Sequence, residues 1–413
     1  MFSKAIKART AEGARHSSVT AALFLSLFAA QAGLIALSPV LAQLASDLGV
    51  STATAGQLRT ISGLAAGVTA LGAARMGRRF GLRRLLLAGT ALLALGSVTS
   101  AGAPSFAALA AAQVLIGVAV AVLVIAGTTA AAEWSPREHR ARVLSWALNG
   151  QAAAWIVGMP LVGALGEASW RYAALVLPLA ASLLAGVAIV RRADSPRGLP
   201  STTGIRTTLA DHRVRRWAIG ELLASSAWVG TLVFAGALFR ETYGISLTLV
   251  GAVLAGAGAA YVAGNLAFRR VVGRESQRLL SRLPLVLALA VLLFAAVRPS
   301  VAVSAILLSA SAFFAGGRTL LSSAAGLESA PERRLALMSV RGAAIQFGYL
   351  VGSGAGGIGL ALLGYAGLGL VLAVLFAAAS VALMASPRFA ARAALPLAGR
   401  ATARFRTQPS PCS

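Results

Sequence analysis

The chain alternates long apolar runs with short basic segments along most of its length. Each run is close to the about 20 residues that a helix needs to cross a bilayer. Apolar runs of this length in unbroken series are typical of membrane helices and not of buried strands. The pattern predicts an all-α polytopic membrane protein with twelve transmembrane helices, at 19–44, 54–75, 84–102, 105–132, 142–165, 170–190, 217–239, 248–268, 281–297, 300–327, 336–362 and 364–385.

The longest polar interruption follows the sixth apolar run and divides the chain into two six-helix halves. Residues 191–216 are rich in Arg, Pro, Ser and Thr, which predicts a flexible cytoplasmic linker. An internal six-plus-six repeat is typical of transporters whose binding site lies near the bilayer midplane between the halves. The expected organisation is a tail at 1–18, a half at 19–190, the linker at 191–216, a half at 217–386 and a basic tail at 387–413.

The basic residues predict the orientation of the chain in the membrane. With the N-terminus inside, 32 of the 37 Lys and Arg fall in the tails and even-numbered loops, if Arg341 is counted with the loop before the eleventh helix. Arg59 is counted with the odd, external loops. The excess of internal positive charge places both termini in the cytoplasm of a cell whose inner (plasma) membrane holds the protein.

Composition excludes several other classes of protein. The chain is 58% hydrophobic and 12% charged, whereas soluble domains carry about a quarter charged residues. The net charge of +25 comes from short clusters between apolar runs, so we expect membrane lipid and a small-molecule substrate as partners and no nucleic acid. One Cys and three His, all outside the apolar runs, predict no metal site. No motif of an enzyme occurs at usable spacing, and we expect a monomer without cofactors.

The fifth apolar run contains the most informative small residues. Gly150, Gly158, Pro160 and Gly163 lie along a stretch that is free of charge from Val143 to Gly166. Gly and Pro are tolerated in a membrane helix where a neighbouring helix satisfies the freed backbone and fills the missing bulk. We therefore expect a bent helix in which Gly158 and Gly163 approach the eighth or eleventh helix of the other half.

These residues resemble a known family. Gly150 followed by GMPLVG is similar to the fifth-helix antiporter motif of the major facilitator superfamily, and residues 38–58, 77–84 (GRRFGLRR) and 330–357 are similar to further segments of its bacterial drug and arabinose-efflux-like permeases. The resemblance implies drug/proton antiport, a proton gradient as the energy source, and alternating access. It also implies conformational roles for Arg78, Arg79, Gly81, Arg83, Arg84, Gly150, Gly158, Pro160, Gly163, Gly352 and Gly356.

Two positions depart from the family pattern. Arg78 stands where the family has an acidic residue in the loop after its second helix, so we expect a reversed pair of Arg78 with Glu328 or Glu332, or a solvated basic loop. Gln113 stands where the family has an Arg four residues before a Gly, here Gly117. Gln carries no charge, and both departures favour a transporter without proton coupling.

Two charged residues lie inside the apolar runs of the second half. An ionisable side chain in a membrane helix is costly and indicates a functional role. Glu221 is the candidate proton carrier, or else a carboxylate near the membrane surface within reach of Arg216. Arg318 is the candidate ligand contact or modulator of Glu221, or else a structural donor to backbone carbonyls.

Other polar and aromatic residues are scattered through helices that line the central cavity in the family. A few amides and aromatic rings in an apolar cleft suit a moderately hydrophobic organic ligand. Each of them taken alone is also a candidate for a hydrogen bond between helices or an aromatic at the membrane surface. The candidates for the substrate or proton pathway, besides Glu221 and Arg318, are Gln31, Gln113, Asn149, Gln151, Trp155, Trp228, Tyr261, Asn265, Gln346 and Tyr349.

The expected function is export of small organic compounds, either drugs or metabolites, by proton antiport with alternating access. An uncoupled facilitator or sugar-efflux permease is the alternative that Arg78 and Gln113 favour. A membrane sensor or scaffold that kept the fold and lost transport is an alternative from another class.

Overall fold

The structure is a computed structural model that describes residues 2–135, 139–191, 209–271, 276–329 and 334–384. The tail at 387–413 and most of the linker lie outside these ranges. Every element in the described ranges is helical. An open sheet edge would leave backbone N–H and C=O groups unpaired within a bilayer, whereas a helix satisfies its own backbone hydrogen bonds.

The first half contains six membrane spans in eight helices. Helix α1 covers Phe2–Ile35, so residues before the expected start at 19 continue the same helix. A short helix α2, Leu41–Asp47, follows it, and the fifth span consists of α6 and α7 joined by a π-helical turn. The remaining bounds are α3 Thr52–Phe80, α4 Leu82–Ala101, α5 Phe106–Glu133, α6 Arg140–Ala153, α7 Met159–Ala168 and α8 Trp170–Val190.

The second half contains the other six spans. Helix α9 begins at His212, inside the expected linker, and runs to Tyr243. The last two spans share one long helix, α13 (Arg334–Met384), which is broken at Leu363 and Gly364, where Gly364 has φ of +61°. The remaining bounds are α10 Leu247–Ala267, extended by a 3-10 turn Phe268–Val271, α11 Ser276–Ala296 and α12 Val301–Ser329.

The count of spans agrees with the prediction of twelve. Within the described ranges, ten helices are long and apolar enough to cross a membrane, and the tenth of these, Val340–Met384, holds two spans. Helix α3 is absent from the ten because Gln57, Arg59 and several Thr and Gly lower its mean hydropathy, but its 29 residues are long enough to span. The weakest predicted run, 281–297, is present as α11.

The bend expected in the fifth span lies at Ala154–Gly158, which form a π-helical turn. Pro160 has no backbone N–H and disfavours a regular helix through the preceding turn. A π-turn absorbs this misfit with one wider turn, and such turns are common at functional sites. The turn brings Trp155 to the interior of the molecule, between the two halves.

The halves meet along two seams of glycine-mediated contacts. In one seam, α7 and the π-turn pack against α10, and in the other α3 packs against α13. A Cβ on Gly63 would lie 2.7 Å from both Leu350 N and Tyr349 Cβ, so only glycine permits this approach of α3 to α13. The contacts concentrate at the end of the bundle that carries α2 and the turn between α9 and α10. We call it the outer end, because the charge distribution predicts that it faces away from the cytoplasm.

The same helices separate toward the opposite, inner end. A Cβ on Gly72 of α3 or on Gly342 of α13 would meet no atom within 4 Å in the part of the chain that the structure describes. Nearer the middle, α3 and α13 are still in close contact at Gly67, where a Cβ would lie 2.6 Å from the ring of Phe347. The two halves are therefore closely joined at the outer end and looser at the inner end.

An even number of spans predicts that both termini lie on the same side of the membrane, and the distribution of Lys and Arg predicts that this side is the cytoplasm. We expect a green fluorescent protein fused to the C-terminus to fluoresce and an alkaline phosphatase fused there to be inactive. The matched control is the same pair of reporters placed after Tyr243, at the outer end, where we expect the reverse result. Active phosphatase at the C-terminus would contradict this orientation.

Candidate functional site between the two halves

A small cavity lies between the halves, and Leu34, Ile35 and Ser38, at and just after the outer end of α1, form part of its wall. The cavity volume is about 10 Å³, which is space for about one water molecule. Both halves contribute to its wall, so opening of either seam would enlarge it. Its lining residues are Leu34, Ile35, Ser38, Arg59 and Trp155 from the first half, and Val229, Leu232, Val233 and Tyr349 from the second.

Aromatic side chains connect the cavity to its surroundings. The Tyr349 side chain of α13 is hydrogen-bonded to Gln31 of α1, which joins the two halves. Trp228 of α9 stacks on Tyr261 of α10, with ring centres 6.2 Å apart and planes inclined by 13°. The structure therefore brings Trp155 and Tyr349 to the cavity wall and Gln31 into contact with Tyr349.

Arg59 is the main residue of this site that sequence reasoning missed. It was assigned to an external loop, but it lies inside α3, is only 2% exposed and lines the cavity. Its Nη1 and Nη2 atoms are buried and have no hydrogen-bond partner among the described residues. The signal was available, since Arg59 falls five residues inside the predicted span 54–75, between Gly56 and Gly63.

A second buried polar cluster lies in the second half. Arg318 Nη1 of α12 is 2.7 Å from Glu221 Oε2 of α9, and Ser322 Oγ donates to the same oxygen at 2.6 Å. Arg341 Nε of α13 lies 3.0 Å from Glu221 Oε1 without the alignment of a hydrogen bond, so we treat this contact as an ion pair. The side chains of Glu221 and Arg318 are 1% and 4% exposed, and the cluster carries a net charge of +1.

This cluster changes two expectations from the sequence. Arg341 was counted with a loop but lies in α13 and pairs with Glu221. Glu221 pairs with Arg318 and Arg341, and Arg318 binds a carboxylate in place of the backbone carbonyls that were one alternative. Glu221 lies seven residues before Trp228 on α9, about 10 Å toward the inner end, so it is offset from the cavity.

Several candidate pathway residues lie away from the cavity wall. Gln113 is fully buried inside the first half, where its Nε2 is 3.4 Å from Ser100 Oγ of α4. Asn149 is exposed and Gln151 is half-buried on α6. On the second half, Asn265 and Gln346 are half-buried, and Gln346 Nε2 has no hydrogen-bond partner among the described residues.

The glycines of the fifth span face different neighbours. A Cβ on Gly163 would lie 3.0 Å from the carbonyl carbon of Leu247 and 3.2 Å from Thr248 Cα, at the start of α10 in the other half. Gly158 instead faces Leu177 and Ile35 within its own half, so the expectation that it meets the other half is wrong. Five residues along a helix correspond to a rotation of about 140°, so the two glycines face different sides.

Three further candidate glycines pack within their own halves. Gly150 lies against the backbone of α1, where a Cβ would be 3.0 Å from Phe28 N. Gly352 of α13 approaches α9, where a Cβ would be 3.0 Å from Gly230 N, and Gly356 lies near Leu368 and Phe234. These contacts explain the small residues as packing devices that let helix backbones approach each other.

The basic loop between α3 and α4 is described in part. Gly81 has φ of +77°, a conformation that favours glycine, and it begins α4 as the tight turn expected from the sequence. Arg83 Nη2 donates to the Val190 carbonyl at the end of α8 at 3.0 Å, and Arg79 lies over the ring of Phe80. The side chains of Arg78 and Glu328 and all of Glu332 lie outside the described residues, so the reversed pair stays a prediction.

At the outer end, two carboxylates join the halves. Glu167 Oε1, at the end of α7, accepts a hydrogen bond from the backbone N–H of Thr248 at 2.9 Å, in the first turn of α10. Glu241 of α9 accepts hydrogen bonds from Thr52 of α3 and from the Tyr365 hydroxyl, the latter at 2.8 Å. An acidic side chain at a helix N-terminus is favourable because of the exposed backbone N–H groups there.

A family model described as the Major Facilitator Superfamily matches residues 23–327. The chain belongs to the Major Facilitator Superfamily. This range runs from α1 into α12, so it includes the first half, four of the six spans of the second half, Arg59 and the Glu221–Arg318 pair. Helix α13, which carries Tyr349 and Arg341, follows it. The membership makes the chain a multi-pass membrane transporter and not an enzyme, as the sequence predicted. Among the described residues, no group of His, Cys, Asp and Glu is arranged to hold a metal ion.

Similar facilitators include proteins named for chloramphenicol. The chain is 29% identical to a chloramphenicol resistance protein of Streptomyces lividans over 303 residues, which are 69% of this chain and 75% of that protein. It is 32% identical over 146 residues to a chloramphenicol efflux pump of Mycobacterium tuberculosis, covering 35% of each. It is 27% identical over 230 residues to an uncharacterised transporter of the same family from Bacillus subtilis, covering 54% of this chain and 57% of that one.

Solved structures of other facilitators share the fold. A bacterial homologue of the human lysosomal transporter Spinster, in an inward-facing and unoccupied conformation, matches with a TM-score of 0.73 at 14% identity and covers 91% of this chain and 96% of its own. A D-xylose-proton symporter matches with a TM-score of 0.70 at 17% identity, covering 91% and 98%. At this identity the likeness concerns the fold alone, and it supports the twelve-helix arrangement in two halves.

Proposed function

We propose that this facilitator exports small, moderately hydrophobic organic compounds of the chloramphenicol kind across the plasma membrane. The compound enters from the inner end, binds in the cavity between the halves and leaves when the outer seams open. The relatives named for chloramphenicol resistance and efflux support the direction and the kind of substrate. The protein acts as a monomer with both termini in the cytoplasm.

The central cavity is the observation that carries this proposal. Its wall combines Trp155 and Tyr349 with aliphatic side chains and a single charged group, Arg59. Binding sites for organic ligands are mostly apolar, with a few polar groups that fix orientation. Space for about one water means that the halves must separate before a ligand fits, which is the behaviour expected of alternating access.

The proposal is tested by accumulation of radiolabelled chloramphenicol in cells that lack their own efflux pumps. Cells that express this protein should hold less of the label at steady state than cells with an empty vector. Tyr349→Ala should restore accumulation, because it removes a ring from the cavity wall and the link to Gln31. The matched control Leu362→Ala alters a side chain that is 75% exposed and should leave export unchanged. Equal accumulation with and without the protein would overturn the proposal.

Proton antiport is the finer part of the proposal, and Glu221 is its candidate carrier. The carboxylate is buried on α9 and contacts two other helices of the same half, α12 and α13, so movement of these helices would change its partners. A proton on Glu221 would have to displace the ion pairs with Arg318 and Arg341. Opening of the inner end would weaken those pairs and admit water, which couples proton exchange to the conformational change.

An uncoupled facilitator is the second candidate, and the same cluster favours it. If Arg318 and Arg341 stay bound to Glu221 throughout the cycle, the cluster only holds α9, α12 and α13 together. Gln113, which is buried against Ser100, carries no charge, and this also favours the uncoupled facilitator. The two candidates differ in whether a proton moves with each compound, and the variants described in the Discussion separate them.

A further inference from the structure

Arg59 is a buried charged group inside a membrane helix, and it has no opposite charge as a partner among the described residues. It lies in α3, is 2% exposed and has two buried nitrogen atoms, Nη1 and Nη2, that find no acceptor among the described residues. The ion pairs described elsewhere in the chain join Glu221 to Arg318 and Arg341. The Tyr349 side chain lies close enough to interact with Arg59 electrostatically, and it carries no formal charge.

Keeping such a group buried is costly, because an ion removed from water loses several kcal/mol unless a partner compensates it. Arg59 lines two small voids. One is the central cavity, and the other is lined by Leu37, Leu41, Ala55, Leu58 and Val233. Neither void supplies a carboxylate. The Arg59 guanidinium is therefore a buried donor whose acceptor would have to come from outside the chain.

The chemistry of the guanidinium restricts what that acceptor is. Its planar fork of N–H groups fits two oxygen atoms that share one centre, as in a carboxylate or a nitro group. The surrounding wall of Trp155, Tyr349, Ile35 and Val233 favours an apolar or aromatic body attached to that group. A cationic compound would meet an uncompensated like charge in a dry site and would be rejected.

We propose that Arg59 is the specificity-determining residue of the central cavity, and that it selects apolar or aromatic compounds with a planar pair of acceptor oxygens, a carboxylate or a nitro group, over cationic compounds of the same size. This inference rests on the proposed function, since it assumes that the transported compound binds in this cavity. It adds the substrate class and the residue that recognises it.

The test measures binding of four naphthalene probes to the purified protein in nanodiscs, with empty nanodiscs subtracted. The probes are 2-naphthoate, 2-nitronaphthalene, 2-methylnaphthalene and 2-naphthylmethylammonium, which share one aromatic body. The parent should bind the naphthoate at least about tenfold more tightly than the methyl compound, as expected for a charge-assisted bidentate contact. It should also bind the nitro compound more tightly than the methyl compound, by a smaller factor, because nitro oxygens are neutral and weaker acceptors. The ammonium compound should bind more weakly than the methyl compound.

Three variants separate recognition from a structural role. Arg59→Gln should reduce the preference for the two acceptor probes to within about threefold, whereas Arg59→Lys should keep the preference for naphthoate and lose that for the nitro compound, because Lys is a point charge without a fork. The matched control Arg269→Gln removes an exposed charge and should behave as the parent. Arg59→Gln should also unfold at a higher temperature than the parent, since it removes an uncompensated buried charge.

A lower unfolding temperature for Arg59→Gln, with the probe preferences unchanged, would overturn the inference and make Arg59 a structural residue. Equal binding of all four probes by the parent would also overturn the inference. This measurement does not depend on the folding of any variant. The proposed function fails separately, if the parent neither binds nor exports chloramphenicol. Export of chloramphenicol with equal probe binding would leave the function standing and remove Arg59 from recognition.

Discussion

Gly163→Leu is expected to abolish transport while the protein still folds and inserts. A side chain at this position would meet the backbone of Leu247 and Thr248 at the start of α10, and backbone atoms cannot move aside as a side chain tip can. Inserting bulk into a close contact costs about 1–3 kcal/mol. Because the contact joins the halves at the outer end, the cost falls on the state in which that end is closed, and a change of this size shifts the equilibrium by about 5- to 150-fold.

The matched control is Gly256→Leu, in α10, the helix that Gly163 approaches; an added Cβ there would meet no atom of the described residues within 4 Å. Closure is measured directly by cross-linking cysteines placed at Glu167 and Thr248, which are in contact across the seam, in a Cys412→Ser background. We expect Gly163→Leu to lose both the cross-link and transport, and Gly256→Leu to keep both. Full transport by a well-expressed Gly163→Leu would show that this approach of α7 to α10 is not needed.

Glu221→Gln is expected to lose transport driven by a pH gradient while ligand binding and downhill exchange remain. The carboxylate is the charged partner of Arg318 and Arg341, and Gln keeps its size but can neither carry a proton nor balance these charges. Removal of one partner of a buried ion pair costs about 3–5 kcal/mol. We therefore also expect a lower unfolding temperature for this variant.

A double variant separates the proton carrier from a structural clamp. Glu221→Gln with Arg318→Gln removes one charge of each sign, so the net charge of the cluster stays +1 and stability should recover in part. A clamp alone predicts that uphill transport recovers together with stability, whereas a proton carrier predicts that it stays lost. Ser322→Ala, which removes a hydrogen bond to Glu221 without changing charge, is the control and should transport uphill as the parent does. Uphill transport by Glu221→Gln itself would rule out Glu221 as the proton carrier, whereas a parent that transports only downhill is an uncoupled facilitator.

The sequence predicted the helical class, the twelve spans and the halves because these follow from local hydropathy. The turn at Gly81 and the bend before Pro160 followed from the conformational limits of single residues. Even the break between the last two spans, at Leu363 and Gly364, fell where the predicted runs 336–362 and 364–385 meet. Each of these features depends on a stretch of chain and not on which helices become neighbours.

The site could be predicted only in part, since it depends on which face of each helix meets another. Gln113 lies inside the first half and not at the cavity, and Gly158 faces its own half, because the rotation of a helix is set by packing. Arg59 and Arg341 were counted with the loops, where basic residues are usual, although both lie within helices. For Arg341, its carboxylate partner on α9 is 120 residues away in the sequence, so no local pattern indicates the pair.

The most direct test of export by alternating access is transport of chloramphenicol by the purified protein in liposomes, with and without an imposed pH gradient. We expect the protein to move the compound across the bilayer, the gradient to drive the compound above equilibrium, and Gly163→Leu to stop both. Movement down the concentration gradient alone would replace proton antiport by an uncoupled facilitator. If correctly folded protein moves no more of the compound than empty liposomes do, export of chloramphenicol-like compounds by this protein is contradicted.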